Sequence, residues 1–465
     1  MLKWKFNISQ FNILVLFVIQ IVIIFFVGIE SYNIATSIFL IFIANLIIIY
    51  PLAGLVLLLI ISIGVEGKLI EEFILFRFLG FNWYLTDLSF ILIFISTGIR
   101  FISGAYKFKF NKISKSVFLF FLVIPIATFE GIKSGYSFAN VFHDVRGFFY
   151  YLIFIPTIFI IKDVKELRKI IYIIIIIGAI KCGVDIIQSI FILPKSFDST
   201  SRTLLNFARL TGYTEVTYPI ITVLTFNLIL LSDSIKNKIY LVVPLMLGLL
   251  ALFLSYTRGS WLAVFLTIFA SLVFMVREKK VKIKFSTLLF GLFGVLVSLL
   301  TLELLHIFSI TQIIVRFTSI SISSIDISNM GRLVEWATAL EAFWKNPLLG
   351  AGFGFLYNYF APGIGQLSTT FCHNSYLYVL SKMGLIGFFP FLLIIYNVLK
   401  VGYNKVKKSI DNRESQYVYV IISVFFMLCI KALTTWHLNT WTLSPFVGLI
   451  IGIAANFIED TSTNE

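Results

Sequence analysis

Arg258 in SYTRGSW, Arg332 at the head of GRLVEWATALEAFWKNPLLGAGFGF and His373 in CHNSYLYVLSKMGLIGF are isolated ionisable residues beside long apolar runs. Guanidinium groups bind phosphate oxygens in pairs, keep their charge when partly desolvated and stabilise a departing pyrophosphate. An imidazole titrates at about pH 6.5 and can serve as a base. The three residues make a set suited to phosphate chemistry at a membrane surface. Each has a plainer alternative: Arg258 as a cap on the carbonyls ending its helix, Arg332 as the partner of Glu335, and His373 as a cap on the helix that follows it.

Arg146 in HDVRGFFYYLIF and Arg202 and Arg209 in STSRTLLNFARLTGY are secondary candidates for holding a diphosphate or glycan, and Asn374 beside His373 joins them. The alternative for these arginines is electrostatic anchoring of loops. Lys181 and Asp185 stand at i,i+4 inside an apolar run, a spacing at which they satisfy one another. Tyr and Trp near helix ends are also suited to holding sugar rings.

The elements that must position these groups are membrane helices. Of the 465 residues 59% are hydrophobic and only 13% charged, with a mean hydropathy of +0.98, a balance no water-soluble domain has. Unbroken Ile/Leu/Phe runs near 18 residues recur, each long enough to cross a hydrocarbon core of roughly 30 Å, whereas a β-barrel would show short alternating segments. The expected spans are 11–28, 34–49, 51–65, 84–99, 116–130, 148–161, 170–192, 218–231, 239–256, 260–276, 285–305, 374–398, 416–432 and 441–457. The chain therefore reads as an all-α polytopic membrane protein of about 12–14 transmembrane helices. Residues 1–465 form a single integral membrane domain, with one long extracytoplasmic loop, 306–373, containing short helices. The run Phe11–Gly28 lacks a small-residue cleavage site and reads as a retained first helix. The segment Glu66–Phe81, with Glu71, Glu72 and Arg77, is expected to form an interfacial helix.

Charge bias sets the sidedness. Most of the Lys and Arg fall at the N-terminus and in alternate connections, 100–115, 162–169, 277–284 and 400–413 among them, which puts both termini in the cytoplasm. Arg146, Arg202, Arg209, Arg258, Arg316, Arg332 and Lys345, with all four histidines, then fall outside, where a topological anchor is not required and anion binding explains them economically. Residues 239–276 as one straight helix would run to roughly 57 Å, about twice the hydrocarbon thickness, so the chain must turn near Thr257–Gly259. Gly259 is suited to that turn. The net charge of +14 sits in short clusters between apolar runs, which argues for topology and against nucleic acid. Cys182, Cys372 and Cys429 have neither metal-ligand nor disulfide spacing. The chain has no Walker A motif, DxD-type clamp on the outer side, HExxH or GxSxG.

The pieces SYTRGSW, GRLVEWATALEAFWKNPLLGAGFG and HNSYLYVLSKMGLIG, in this order, resemble the O-antigen ligase and Wzy-type polysaccharide polymerase superfamily. The resemblance covers about 255–387 and implies a GT-C-type, metal-independent glycosyltransferase in the bacterial cytoplasmic membrane, with no cofactor and with its site on the extracytoplasmic side. It implies an undecaprenyl diphosphate-linked glycan as donor and a glycan or lipid-linked acceptor, with a chain-length regulator as a further partner. Arg258 and Arg332 match the positions that hold the diphosphate, and His373 the one that assists the incoming hydroxyl. The family often has an acid shortly before GLIG, where this chain has Lys382. Direct displacement would invert the anomeric centre. Polymerisation of surface polysaccharide repeats is the leading expectation, ligation to lipid A core or another acceptor the second. A flippase or other transporter is the alternative of a different class, and it would place polar groups near the bilayer midplane.

Overall fold

A backbone in lipid must satisfy its own hydrogen bonds, so the apolar runs have one solution, the helix. The computed structural model describes residues 34–65, 74–78, 81–106, 108, 110–192, 197–198, 203–204, 210, 213–232, 235–278, 327–361, 365–409 and 412–458. The expected spans 11–28 and 285–305, residues 66–73, and the part of the loop from 306 to 326 lie outside them.

The first half of the chain holds α1 (Ile34–Ile49), α2 (Pro51–Leu59, continued by a π-turn Ile60–Gly64), α3 (Leu85–Ile102), α4 (Lys112–Lys133), α5 (Phe138–Phe149), α6 (Phe154–Ile160) and α7 (Val164–Ile187). The second holds α8 (Thr217–Leu231), α9 (Ile235–Leu254), α10 (Arg258–Arg277), α11 (Ile327–Lys345), α12 (Ser375–Ser409), α13 (Arg413–Lys431) and α14 (Ser444–Asn456). Six helical segments among the described residues are long and apolar enough to cross a membrane, and five shorter apolar helices accompany them. The chain is an all-α polytopic membrane protein.

Helix α14 is buried on every side from Ser444 to Ala455, as a helix apolar all round should be. Gly448 and Gly452, four apart, let it lie directly on the Tyr150–Thr157 backbone: a Cβ at Gly448 would meet the Tyr150 carbonyl at 2.7 Å. The partner is not the continuous helix 148–161 expected from hydropathy. Helix α5 passes through a 3₁₀ turn, Tyr150–Ile153, into the short α6, and the buried Tyr150 and Tyr151 fill the break.

Three further expectations are corrected. Ile74–Phe78 pairs antiparallel with Phe81–Tyr84 as hairpin β1–β2, Arg77 opposite Asn82, so this part of 66–81 is not an interfacial helix; ILFRF and FNWY are rich in strand-favouring residues. The turn between α9 and α10 occupies residues 255–257, near Thr257 as expected, but its left-handed residue is Tyr256, φ 54°, and not Gly259. Gly259 is already helical, and its missing side chain instead makes room for Thr434, whose Oγ1 would stand 2.5 Å from a Cβ. Finally, α11 begins at Ile327 rather than at Arg332. It buries Glu335, Ala339, Ala342 and Phe343, while Leu333 and Leu340 are substantially exposed.

Helix α12 is broken where the sequence reads KMGLIG. Gly384, at φ 57° and ψ −163°, occupies a conformation that only glycine adopts without strain. The segment NPLLGAG inserts at the break. Leu385 donates its amide to the Pro347 carbonyl at 2.9 Å and Ile386 to Leu348 at 3.2 Å, while Ala351 and Gly352 donate to the carbonyls of Ser381 and Lys382 at 2.8 and 3.1 Å. The backbone groups released by the kink are thereby satisfied.

Candidate functional site

Helix α11 organises the site. Asn329, Arg332 and Glu335 recur every three residues and so share one side of it, along roughly 9 Å of axis. Arg258, the first residue of α10, donates from Nη2 to Asn329 Oδ1 at 3.1 Å. One turn further on is Arg332, and one turn beyond that the fully buried Glu335. Its carboxylate accepts the His373 backbone amide at 2.9 Å and faces His373 Nδ1 at 3.0 and 3.2 Å. Trp336 adds an indole N–H to the His373 carbonyl at 3.3 Å. The structure thus brings Arg258, Arg332 and His373 to a single helix.

Glu335, which the sequence offers only as an alternative partner of Arg332, holds His373, 38 residues further along the chain. A carboxylate on Nδ1 selects the tautomer that donates there and leaves Nε2 with the lone pair. The Phe371 ring meets the imidazole edge-on at 5.4 Å and stacks on Trp436 at 4.3 Å. Burial, then the Glu335 charge, pushes the Tyr359 phenol up to about 12; its hydroxyl approaches Glu335 Oε1 at 3.5 Å. Asn374 turns its Oδ1 toward the amides of Tyr376 and Leu377, at 3.0 and 3.1 Å, and caps α12.

The end of α13 ties the two flanks together. Ser375 donates its amide to the carbonyls of Ala432 and Thr435. On the other flank Lys431, fully buried, pairs with Glu215 at 2.9 Å and bonds Ser260 Oγ, while Thr257 donates to the second Glu215 oxygen at 2.9 Å. Thr257 and Ser260 bracket Arg258, so this buried pair fixes the start of α10. Burial raises the Glu215 carboxyl, but Lys431 and His437 outweigh it and hold it well below the usual carboxylate range. Burial lowers His437, whose Nε2 lies 3.8 Å from Glu215. A lone Glu and a lone Lys bounding apolar runs were the sequence signals for this pair, because a desolvated charge needs a partner.

Other candidates fall elsewhere. Arg146 is engaged with Asp87 through both carboxylate oxygens, donates to the Asn82 carbonyl at 3.2 Å, and lies over the rings of Tyr84 and Trp441 at 4.7 and 4.9 Å. Arg202 and Arg209 lie outside the described residues. Lys181 and Asp185 pair at 2.6 Å as their spacing requires, and Tyr218 completes the carboxylate at 2.7 Å. Lys382, which replaces the expected acid before GLIG, is fully buried and bonds Asp144 on α5 at 2.6 Å and the Thr370 carbonyl at 2.7 Å. Asp144 also accepts the Gly354 amide at 2.6 Å and the Tyr378 hydroxyl at 2.7 Å. Among the described residues no group of three or more His, Cys, Asp or Glu is arranged to hold a metal ion.

Fold and site define a polytopic membrane protein with an ionisable cluster on a helix outside its membrane-spanning segments. Residues 243–392, which contain Arg258, Arg332 and His373, match the family model described as O-Antigen ligase. The match supports membership of the O-antigen ligase and Wzy-type superfamily. No curated protein matches the chain.

Proposed function

We propose that the protein transfers a glycan from an undecaprenyl diphosphate carrier to an acceptor hydroxyl at the extracytoplasmic face of the bacterial cytoplasmic membrane. The observation that carries this reading is the buried Glu335 carboxylate on the amide and Nδ1 of His373. His373 Nε2 takes the acceptor proton, the hydroxyl oxygen attacks the anomeric carbon, and the carbon–oxygen bond to the diphosphate breaks with its electrons leaving on the phosphate. Arg258 and Arg332 hold the departing diphosphate, so the step asks for neither a general acid nor a metal at the donor, and it inverts the anomeric centre.

The acceptor distinguishes two forms. Joining repeat units, with a chain-length regulator as partner, is polymerisation, the leading form; transfer to lipid A core or another acceptor is ligation, the second. Purified protein given a defined undecaprenyl diphosphate glycan separates them, since polymerisation yields longer lipid-linked chains and ligation a glycan on a different lipid. Arg258→Ala, Arg332→Ala and His373→Ala are expected to abolish either product. Undiminished transfer by all three variants at normal protein levels refutes the assignment.

A further inference from the structure

A cleft of about 500 Å³ opens beside the site, within the roughly 300–1,000 Å³ typical of ligand sites. One wall is α11, where Thr338, Ala342 and Lys345 continue, at helical spacing, the face that carries Glu335. The opposite wall is the end of α4 and the turn after it, with Glu130, Ser134 and Tyr136. The floor is the segment from Asn346 to Asn358, the glycine-rich motif to which the catalytic reading gives no task.

That floor is held by backbone on both sides. Phe353 donates its amide to the Ala127 carbonyl at 2.9 Å and Gly354 to the buried Asp144, while Gly350 and Gly352 are bonded to Asn346 and to Lys382 of the broken helix. Gly131 and Gly352 touch so closely that a Cβ on Gly352 would stand 2.3 Å from the Gly131 nitrogen. A cleft with such a floor is preformed and loses little freedom when filled.

Its chemistry selects the occupant. The carboxylates of Glu130 and Glu341 accept hydrogen bonds, the amides of Asn346 and Asn358 both donate and accept, and the rings of Tyr136 and Phe355, 6.2 Å apart and edge-to-face, give an apolar surface. Glu341 pairs with Lys345 at 2.8 Å and Glu130 with Lys133 at 3.7 Å, so the charges balance and a phosphate gains nothing here. A polyprenyl chain would strand the polar groups. Hydroxyls for the polar side chains and C–H faces for the rings are what a sugar offers.

We infer that this cleft binds a sugar segment of the transferred glycan, one to three helical turns from the His373–Glu335 pair; the assignment rests on the glycosyl transfer proposed above. The test is calorimetric titration of the purified protein with the water-soluble oligosaccharide released by mild acid from the host's own polyprenyl-linked glycan. Wild type and His373→Ala are expected to bind alike, and the double variant Glu341→Gln/Asn358→Ala, at two exposed positions, to bind at least roughly tenfold more weakly. A double variant that binds as tightly as wild type, or a wild type that takes up no oligosaccharide at millimolar concentration, overturns the assignment. Normal transfer by His373→Ala would instead remove the catalytic reading and leave the binding result standing.

Discussion

Glu335 holds His373 at two points, the backbone amide at 2.9 Å and Nδ1 at 3.0 Å. The first bond fixes where the residue sits and the second which way its ring faces. Neither end of the pair is local, since α11 supplies the carboxylate and the lead into α12 the imidazole.

Replacing Glu335 by Gln separates these tasks. The amide keeps a carbonyl acceptor for the backbone N–H but no longer compensates an imidazolium formed in transfer. Turnover is expected to fall by roughly 10²–10⁴ with little change in KM for the donor. Glu335→Ala also leaves the half-buried His373 amide without this acceptor and should lower the melting temperature. Equal loss in both variants, accompanied by unfolding, would reduce Glu335 to a structural prop.

The Lys382–Asp144 bond is a second buried pair whose loss should be felt as instability. Lys382→Met leaves Asp144 charged in the protein interior, which costs about 3–5 kcal/mol, whereas Lys382→Met with Asp144→Leu removes both charges together. The double variant is expected to melt above the Lys382→Met single variant in detergent. Strictly additive effects would contradict the coupling.

Much of this frame was legible in the chain. Helices α1 (Ile34–Ile49) and α8 (Thr217–Leu231) coincide with the expected spans 34–49 and 218–231 to within a residue, because an apolar run bounded by Pro51 or by polar residues admits few other solutions in lipid. The β1–β2 hairpin was hidden because Phe, Ile, Tyr and Trp serve a strand and a lipid-facing helix equally well. Arg258, Arg332 and His373 were visible as isolated polar residues, and their convergence on α11 followed. The task of Glu335 was not legible because i,i+3 spacing points only to Arg332, while the amide and imidazole it holds lie 38 residues on. Spacing records neighbours along a helix and is silent about what the fold brings across to it.

Stability should fall on acidification in two stages. Burial lowers His437 below the ordinary imidazole value; the unfolded chain then binds a proton that the folded one refuses, so stability is full above about pH 6.5 and declines beneath it. Glu215 and Asp144 are also held low, against the effect of burial, by Lys431 and Lys382 respectively. Their contributions are full above the ordinary carboxylate range of about pH 4–4.5 and are lost as pH falls through their lower folded-state values. Melting temperatures from pH 8 to about pH 2 should show this course, with His437→Gln flattening the upper stage only. An unchanged decline in that variant would assign the upper stage to another group.

Sidedness can be read chemically, because Cys182, Cys372 and Cys429 are all buried and give little background to a membrane-impermeant maleimide. Lys345, 74% exposed at the end of α11, and Lys407, exposed near the end of α12, lie on opposite faces if the distribution of Lys and Arg sets the topology. Lys345→Cys should therefore label in intact cells and Lys407→Cys only after permeabilisation. The reverse pattern would put Arg332, Glu335 and His373 in the cytoplasm, where a carrier diphosphate awaiting export would be their substrate, and would remove the extracytoplasmic transfer step. Labelling of both positions in intact cells would mean that the stretch from α11 to the end of α12 does not cross the bilayer.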